Sequence, residues 1–344
     1  MSGRVRANTL FVTADGAVLR ARNLTLQVVV EGRVAVQVPL HHLHSVALFG
    51  TALVTSAALA RCAEAGISVT FLNGHGRLQA RVDAPLSGNV LLRREQYRLA
   101  DNDRWCLAVA RSFVAGKLNN ERNLLLHAAR DAAEGSLARS YLRETAEMVR
   151  VRILGAGSAQ NADELSGQEG LGTRAYFSAF THIIRAAAFR MRARTRRPPR
   201  DPLNAMLSFA YALVTNDCVA ALTAAGLDPS VGFLHRDRPG RPGLALDLME
   251  EFRPLLADRA VLALVNRRQV SEDDFERTEG GGVLLSASGR KAVIEGYHAR
   301  RSEEAVHPLL GERSPLGEFP FIQARLLARH VRGDLPAYPP VVLR

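Results

Sequence analysis

The chain has 344 residues, 47% of them hydrophobic, and carries 45 lysines and arginines against 34 aspartates and glutamates. That length holds one large or two ordinary domains, and the net charge of +11 favours polyanionic partners, because neutralised phosphates release counterions. Cys62, Cys106 and Cys218 are odd in number, widely separated and in no CxxC pair, which argues against a disulfide framework or a zinc site and fits a reducing cytoplasm.

Residues up to about 85 read as β-rich. Short strand-like runs occupy 9–13, 17–21, 24–30 and 34–38, separated by turn signals at Ala14-Asp15-Gly16 and Glu31-Gly32. A further strand at 46–48, a helix at 56–64 closed by Gly66 and a strand at 67–72 follow, then a tight turn at 73–76 and a linker at 85–88. The apolar stretch after Arg6 is too short and interrupted for a signal peptide, and the uncharged run 45–60 is shorter than a membrane span, so no membrane association is expected. From about residue 92 the period becomes helical. Asp101 or Asn102 caps a long helix through Trp105 and Leu118. Further helices are predicted at 136–154, 165–191, 203–225 and 244–251. A small hairpin around Gly280–Gly282, late helices at 290–301 and 319–332, and an extended proline-containing tail from Asp334 complete the chain. The expected fold is α+β: a small β-rich N-terminal domain (1–88) followed by a larger all-helical domain (89–344).

The stretch FLHRDRPGRPGLALDLMEEFRP, residues 233–254, places His235 in an Arg/Pro/Gly-rich loop just before a helix bearing Asp247, Glu250 and Glu251. Residues three and four apart share a helix face, so Asp247 points the same way as both glutamates. Crowded carboxylates are costly unless a cation neutralises them. One imidazole with several carboxylates suits a divalent ion such as Mg²⁺ or Mn²⁺. Earlier, in LSGQEGLGTRAYFSAF (165–180), Glu169 lies among Gly167, Gly170 and Gly172, small neighbours that allow close approach. An arginine run then follows: Arg174, Arg185, Arg190, Arg192, Arg194, Arg196, Arg197 and Arg200, with no acid between Gly170 and Arg200. It reads as a surface that tracks nucleic-acid phosphates, at Arg185, Arg190, Arg192, Arg194, Arg196, Arg197 and Arg200 above all.

The segments QEGLGTRAYFSAF, RTRRPPRDPLNAMLSFAYAL, FLHRDRPGRPGLALDLMEEFRP and NRRQV resemble the CRISPR-associated endonuclease/integrase family of the spacer-acquisition module, Cas one. The similarity runs in order through almost the whole chain, and its N-terminal part is the less distinctive. It implies a metal held by Glu169, His235 and Glu250, with Asp247 as a supporting acid of the catalytic centre. It also implies cleavage and strand transfer that insert short foreign DNA into a CRISPR array, a homodimer formed through the N-terminal domain, and a small adaptation partner, Cas two. The substrate would be double-stranded DNA, with branched or single-stranded DNA as further candidates.

Blander readings stand beside these. The acids could pair only with arginines, making the chain a non-catalytic nucleic-acid-binding protein. A metal hydrolase of a small phosphorylated molecule is a third reading, though no P-loop or Rossmann fingerprint supports it. Glu251 is expected to pair with Arg253 rather than bind metal, and Asn204 to be structural. Gln269 is a candidate polar contact near the metal, and Arg290 and Lys291 are candidate phosphate contacts at a helix start. His41, His42 and His44 lack the acid or thiol that would complete a metal motif, and Tyr176 and Phe177 read as core.

Overall fold

The computed structural model describes residues 8–74, 76, 78–82, 90–186, 188–191, 193–236 and 238–343. The 85–88 linker, the 88/89 boundary and Arg192 lie outside them.

The N-terminal part builds two four-stranded sheets. Strands β1 (Asn8–Val12), β2 (Val18–Arg22), β3 (Thr25–Val30), β4 (Arg33–Pro39), β5 (Leu43–Phe49) and β6 (Leu53–Val54) precede helix α1 (Ser56–Glu64), and β7 (Ser68–Leu72) and β8 (Leu78–Val82) follow it. The sheet orders are β1-β5-β7-β8 and β4-β3-β2-β6. Glu31 and Gly32 both take positive φ, which makes the two-residue turn that matches the twist of a β3–β4 hairpin. On β5 successive side chains serve two cores. Val46 and Leu48 pack with Leu19, Leu26 and Cys62 inside the β region, while Ala47 and Phe49 join the core of the helical region. Burial on both faces explains why this strand reads as a nearly continuous apolar run.

The helical region comprises α2 (Val90–Ala100), α3 (Asp103–Asp131), α4 (Leu137–Ser158), α5 (Ala162–Ser178), α6 (Phe180–Ile183), α7 (Pro202–Ala224), α8 (Gly243–Phe252), α9 (Arg259–Asn266), α10 (Ala287–Ser302) and α11 (Phe319–Val331). Asn102, Ser136, Asn161 and Asp201 each cap a helix by accepting a backbone N–H, as short polar side chains do. Helix α3 is the spine, packed against α4, α5 and α8. Helix α7 is long and apolar enough to cross a membrane by length and composition, but 72% of its most apolar window is buried in the fold. It is apolar on all sides because it is a core helix: Phe209 packs 5.9 Å from Phe49, and Asn216 Oδ1 accepts a hydrogen bond from Thr70. The helical region also holds two antiparallel ribbons, β9 (Phe275–Arg277) with β10 (Val283–Leu285), at the predicted hairpin, and β11 (Glu304–Val306) with β12 (Arg313–Pro315).

The predicted helix 165–191 is shorter in the structure. Helix α5 ends at Ser178, and one further turn, α6, ends at Ile183. Asn266, the last residue of α9, provides the alternative to helix: its side chain accepts from the N–H of Arg185 and donates to the carbonyl of Ile183. With those backbone groups satisfied from outside, the arginine-rich segment leaves the helix. Between α8 and α9 the chain widens into a π segment, Arg253–Asp258, which accommodates Pro254 and its missing N–H.

Candidate metal and catalytic centre

The loop carrying His235 is folded down by Asp247, which is fully buried on α8. One oxygen of Asp247 accepts from the N–H groups of Phe233 and Leu234, and the other accepts from the N–H and the Nδ1 of His235, both at 2.8 Å. Gly232 and Gly243 let the loop sit this close to the helix start. A Cβ on Gly232 would fall 2.5 Å from the carbonyl oxygen of His235, and one on Gly243 2.7 Å from the same atom. The ionised carboxylate can only accept, so Nδ1 carries the proton and Nε2 presents a lone pair. That nitrogen lies 4.0 Å from Glu250 Oε1, one turn along α8 from Asp247.

Glu169 arrives from α5. Gly172, three residues on, brings α5 against α3, since a Cβ there would meet Leu118 at 2.6 Å. Glu169 keeps 27% and His235 21% of their side-chain exposure, while Glu250 keeps 4%. The first two therefore form a rim and Glu250 the floor. Cβ atoms on Gly167 and Gly170 would meet nothing within 4 Å, so α5 is unpacked at those two positions.

Lys117 of α3, only 1% exposed, was not singled out in the sequence. Its ammonium contacts Glu169 Oε1 and lies 2.8 Å from Glu250 Oε2, tying the two acids together. Burial alone would push that ammonium towards neutrality, but Glu250 and then Glu169 outweigh it and raise its pKa. Burial likewise works against the Glu250 charge, yet Arg253 and then Lys117 pull its pKa down to about 2. Arg253 holds Glu250 Oε1 at 3.1 Å and lies over the ring of Tyr211. Thr173 bonds both Glu169 and a second buried acid, Glu121, whose pKa burial pushes up to about 8. A lysine and a glutamate four residues apart, Lys117 and Glu121, within the apolar face made by Val114, Leu118 and Leu125 were the available signal for this floor.

The donor set fits a divalent ion in its chemistry: two carboxylates and an imidazole with a fixed tautomer turn towards one place. Among the described residues no three such side chains are already gathered at ligating distance, and a protein cation lies between two of them.

Glu251 corrects one expectation. It pairs not with Arg253 but with the C-terminal tail, accepting from the Tyr338 hydroxyl at 2.5 Å, Gln323, and the N–H of Val341. Burial pushes its pKa up to about 8 against the lowering effect of those bonds. The tail is accordingly pinned, with Asn120 also holding the Val341 carbonyl.

In the arginine segment Arg185, Arg190, Arg196, Arg197 and Arg200 are exposed. Arg194 is turned inward, bonded to Asn204 and Ser208 and lying over Tyr211, so its guanidinium is committed to the fold. Asn204 is structural, fastening Ala193, Arg194 and Thr195 to the start of α7. Gln269 lines a cavity of about 700 Å³ between α3, α9 and α10 whose walls include none of Glu169, His235 and Glu250. Arg290 donates to the Leu285 carbonyl, and Lys291 lies 3.9 Å from Glu295. His44 packs edge-on to Phe321, and Tyr176 is fully buried.

The α+β architecture gathers acids and a histidine close to Arg194 of the arginine-rich segment, which shares the Tyr211 ring with the Arg253 that holds Glu250. Residues 10–299 match the family of CRISPR associated protein Cas1. A relative from Rhodospirillum rubrum, CRISPR-associated endonuclease Cas1 2, is 47% identical over 341 residues, 97% of each chain. The chain therefore belongs to the Cas1 family. Among solved structures, a chain of a Cas6-RT-Cas1–Cas2 complex superposes with TM-score 0.82 at 25% identity, covering 99% of this chain and 37% of that one. A casposase bound to integration product shares the fold, with TM-score 0.84 at 20% identity over 98% of this chain and 94% of the other.

Proposed function

We propose that the chain is a DNA endonuclease and integrase that inserts short foreign DNA into a CRISPR array, working with Mg²⁺ or Mn²⁺ held by Glu169, His235 and Glu250. The observation that carries the metal reading is the Asp247–His235 pair: a buried carboxylate fixes the imidazole proton on Nδ1 and leaves Nε2 free towards Glu250. A bound divalent ion would supply Lewis acidity to the scissile phosphate and to the attacking oxygen. The chain's own groups do the rest. Arg253 and Lys117 keep Glu250 ionised, Asp247 orients His235, and the part-exposed Glu169 and His235 leave the rim open to a phosphodiester. Water as nucleophile gives hydrolysis, and a DNA 3′-hydroxyl gives strand transfer. The same centre serves both, so substrate geometry selects the outcome.

The exposed arginines Arg185, Arg190, Arg196, Arg197 and Arg200 are proposed as phosphate contacts. Double-stranded or branched DNA, a small Cas two partner and a cytoplasmic location belong to the same reading, as does a division into domains near residue 88. Val34 and Val36 on β4 and Leu24 in the β2–β3 turn expose apolar surface, which supports a homodimer through that region.

One observation favours the alternative of a non-catalytic DNA-binding protein: Glu169 and Glu250 already have basic partners. The discriminating experiment is strand transfer into array-bearing DNA with Mn²⁺ and after full chelation. Activity lost on chelation and restored by Mn²⁺ is expected, and activity that survives chelation would remove the metal from the mechanism.

A further inference from the structure

The floor of the centre holds a cation of the protein's own, and the way it is held suggests that it moves. Glu250 is gripped from two sides, by Arg253 on Oε1 and by Lys117 on Oε2. The two grips differ. Arg253 is fixed by the Tyr211 ring over which it lies, whereas Lys117 reaches the acids on a flexible four-carbon stem. Both contacts are ion pairs without aligned hydrogen bonds, so what sets them apart is the freedom of the lysine stem, and Glu250 Oε2 is left with no aligned hydrogen-bond partner. One turn further along α3, Glu121 is buried and its Oε2 also has no partner. Lys117 and Glu121 stand four residues apart on one helix, so their side chains share a face.

We propose that the Lys117 ammonium is a resident counter-cation, which holds Glu169 and Glu250 together while the centre is metal-free and withdraws to Glu121 when a divalent ion takes its place. The inference rests on the metal-site reading above. The physical argument is exclusion. A divalent ion and an ammonium cannot both lie between the same two carboxylates, because their charges repel strongly at a few ångströms. A buried ammonium cannot leave one anion unless another receives it. Glu121, one turn further along the same face, has an oxygen to spare, and it would serve as the receiving anion by giving up the proton that burial favours while Lys117 stays with Glu169 and Glu250. Lys117 would thus be a positioning residue that sets metal affinity, without touching the reacting atoms.

The test is Mn²⁺ binding by calorimetry, together with melting of the full chain in Mn²⁺ and in chelator, for the wild type, Lys117→Met and Glu121→Gln. Lys117→Met should bind Mn²⁺ tighter by about tenfold or more, the scale of removing one competing unit charge. It should also melt lower without metal and show a larger Mn²⁺-induced rise. Glu121→Gln should bind Mn²⁺ more weakly than the wild type, since the displaced ammonium loses its acceptor. If Lys117→Met does not fold, Lys117→Met/Glu169→Gln is compared with Glu169→Gln, which keeps the buried charges balanced, and tighter binding by the double variant is expected. Equal Mn²⁺ affinity with and without Lys117 would overturn this inference and leave the metal site standing. No Mn²⁺ binding by any of the proteins would overturn the metal-site reading, and this inference with it.

Discussion

Glu250 and Glu251 are neighbours on α8, both fully enclosed, yet the fold treats their charges in opposite ways. Glu250 faces α3 and the His235 loop, where Arg253 and Lys117 hold it ionised with a pKa of about 2. Glu251 faces the C-terminal tail, where hydroxyl, amide and backbone donors surround it but no cation balances it, and burial pushes its pKa up to about 8. One side of the helix is organised around charge and the other around hydrogen bonds. What separates an ionised buried carboxylate from a neutral one is therefore the partner the fold brings to it, since both residues begin with the same chemistry.

The largest effect that could break this comparison comes from the charged side. Glu250→Ala should lower strand transfer by about 10³-fold or more, as expected when a charge at the reacting centre is lost, while the tail remains docked and protected from proteolysis. Activity near wild type would place the chemistry elsewhere. On the other side, Glu251→Ala should cost roughly 2–4 kcal/mol of unfolding free energy in urea, because the donors of Tyr338, Gln323 and Val341 lose their acceptor. Its turnover per folded molecule should stay near wild type, and a collapse of turnover without loss of stability would erase the distinction between the two acids.

A smaller effect lies in pH. The fold raises the Glu251 pKa from 4.5 to about 8, so the folded state favours the protonated acid. Its contribution is fully present below about pH 4.5 and is lost as pH climbs to about 8. Melting of the metal-free protein should fall across that window, and Glu251→Gln should flatten the fall. A residual slope is expected from Glu121, shifted in the same direction. Glu250 has the opposite sign: its contribution is present above about pH 4.5 and disappears as pH drops towards 2. The smallest effects belong to the surface. Replacing Arg196, Arg197 or Arg200 by Ala should weaken DNA binding across sequences and reduce the salt slope by about 1 each. Arg194→Ala should instead lower stability, because Asn204, Ser208 and Tyr211 lose the guanidinium between them.

Much of the fold was legible because local signals and tertiary outcome agree. Helix α1 spans the predicted 56–64, and Asn102, Ser136 and Glu31-Gly32 end or turn their elements as their side chains and backbone freedom dictate. The Asp247–Glu250 face was readable from helical spacing alone. Three features were not. The arginine segment was read as helix because its apolar period continues past Ser178, whereas an asparagine distant in sequence satisfies the backbone there. Glu251 was assigned to Arg253 because that partner is near in sequence, while its real partners come from Gln323 to Val341. Lys117 lay far from every motif, and only the packing of α3 against α5 and α8 delivers it to the acids.

The sequence by itself determined the α+β order of elements, the basic character of the arginine segment and the acid–histidine pattern, because each follows from local propensity, spacing or charge that neighbouring residues carry. Only the tertiary structure decided which of two adjacent glutamates is held ionised, which arginine turns inward and which lysine lies at the centre. Those outcomes depend on burial and on partners contributed by distant segments, and electrostatic energies in a protein interior are set by what lies a few ångströms away, not by what lies nearby in the chain.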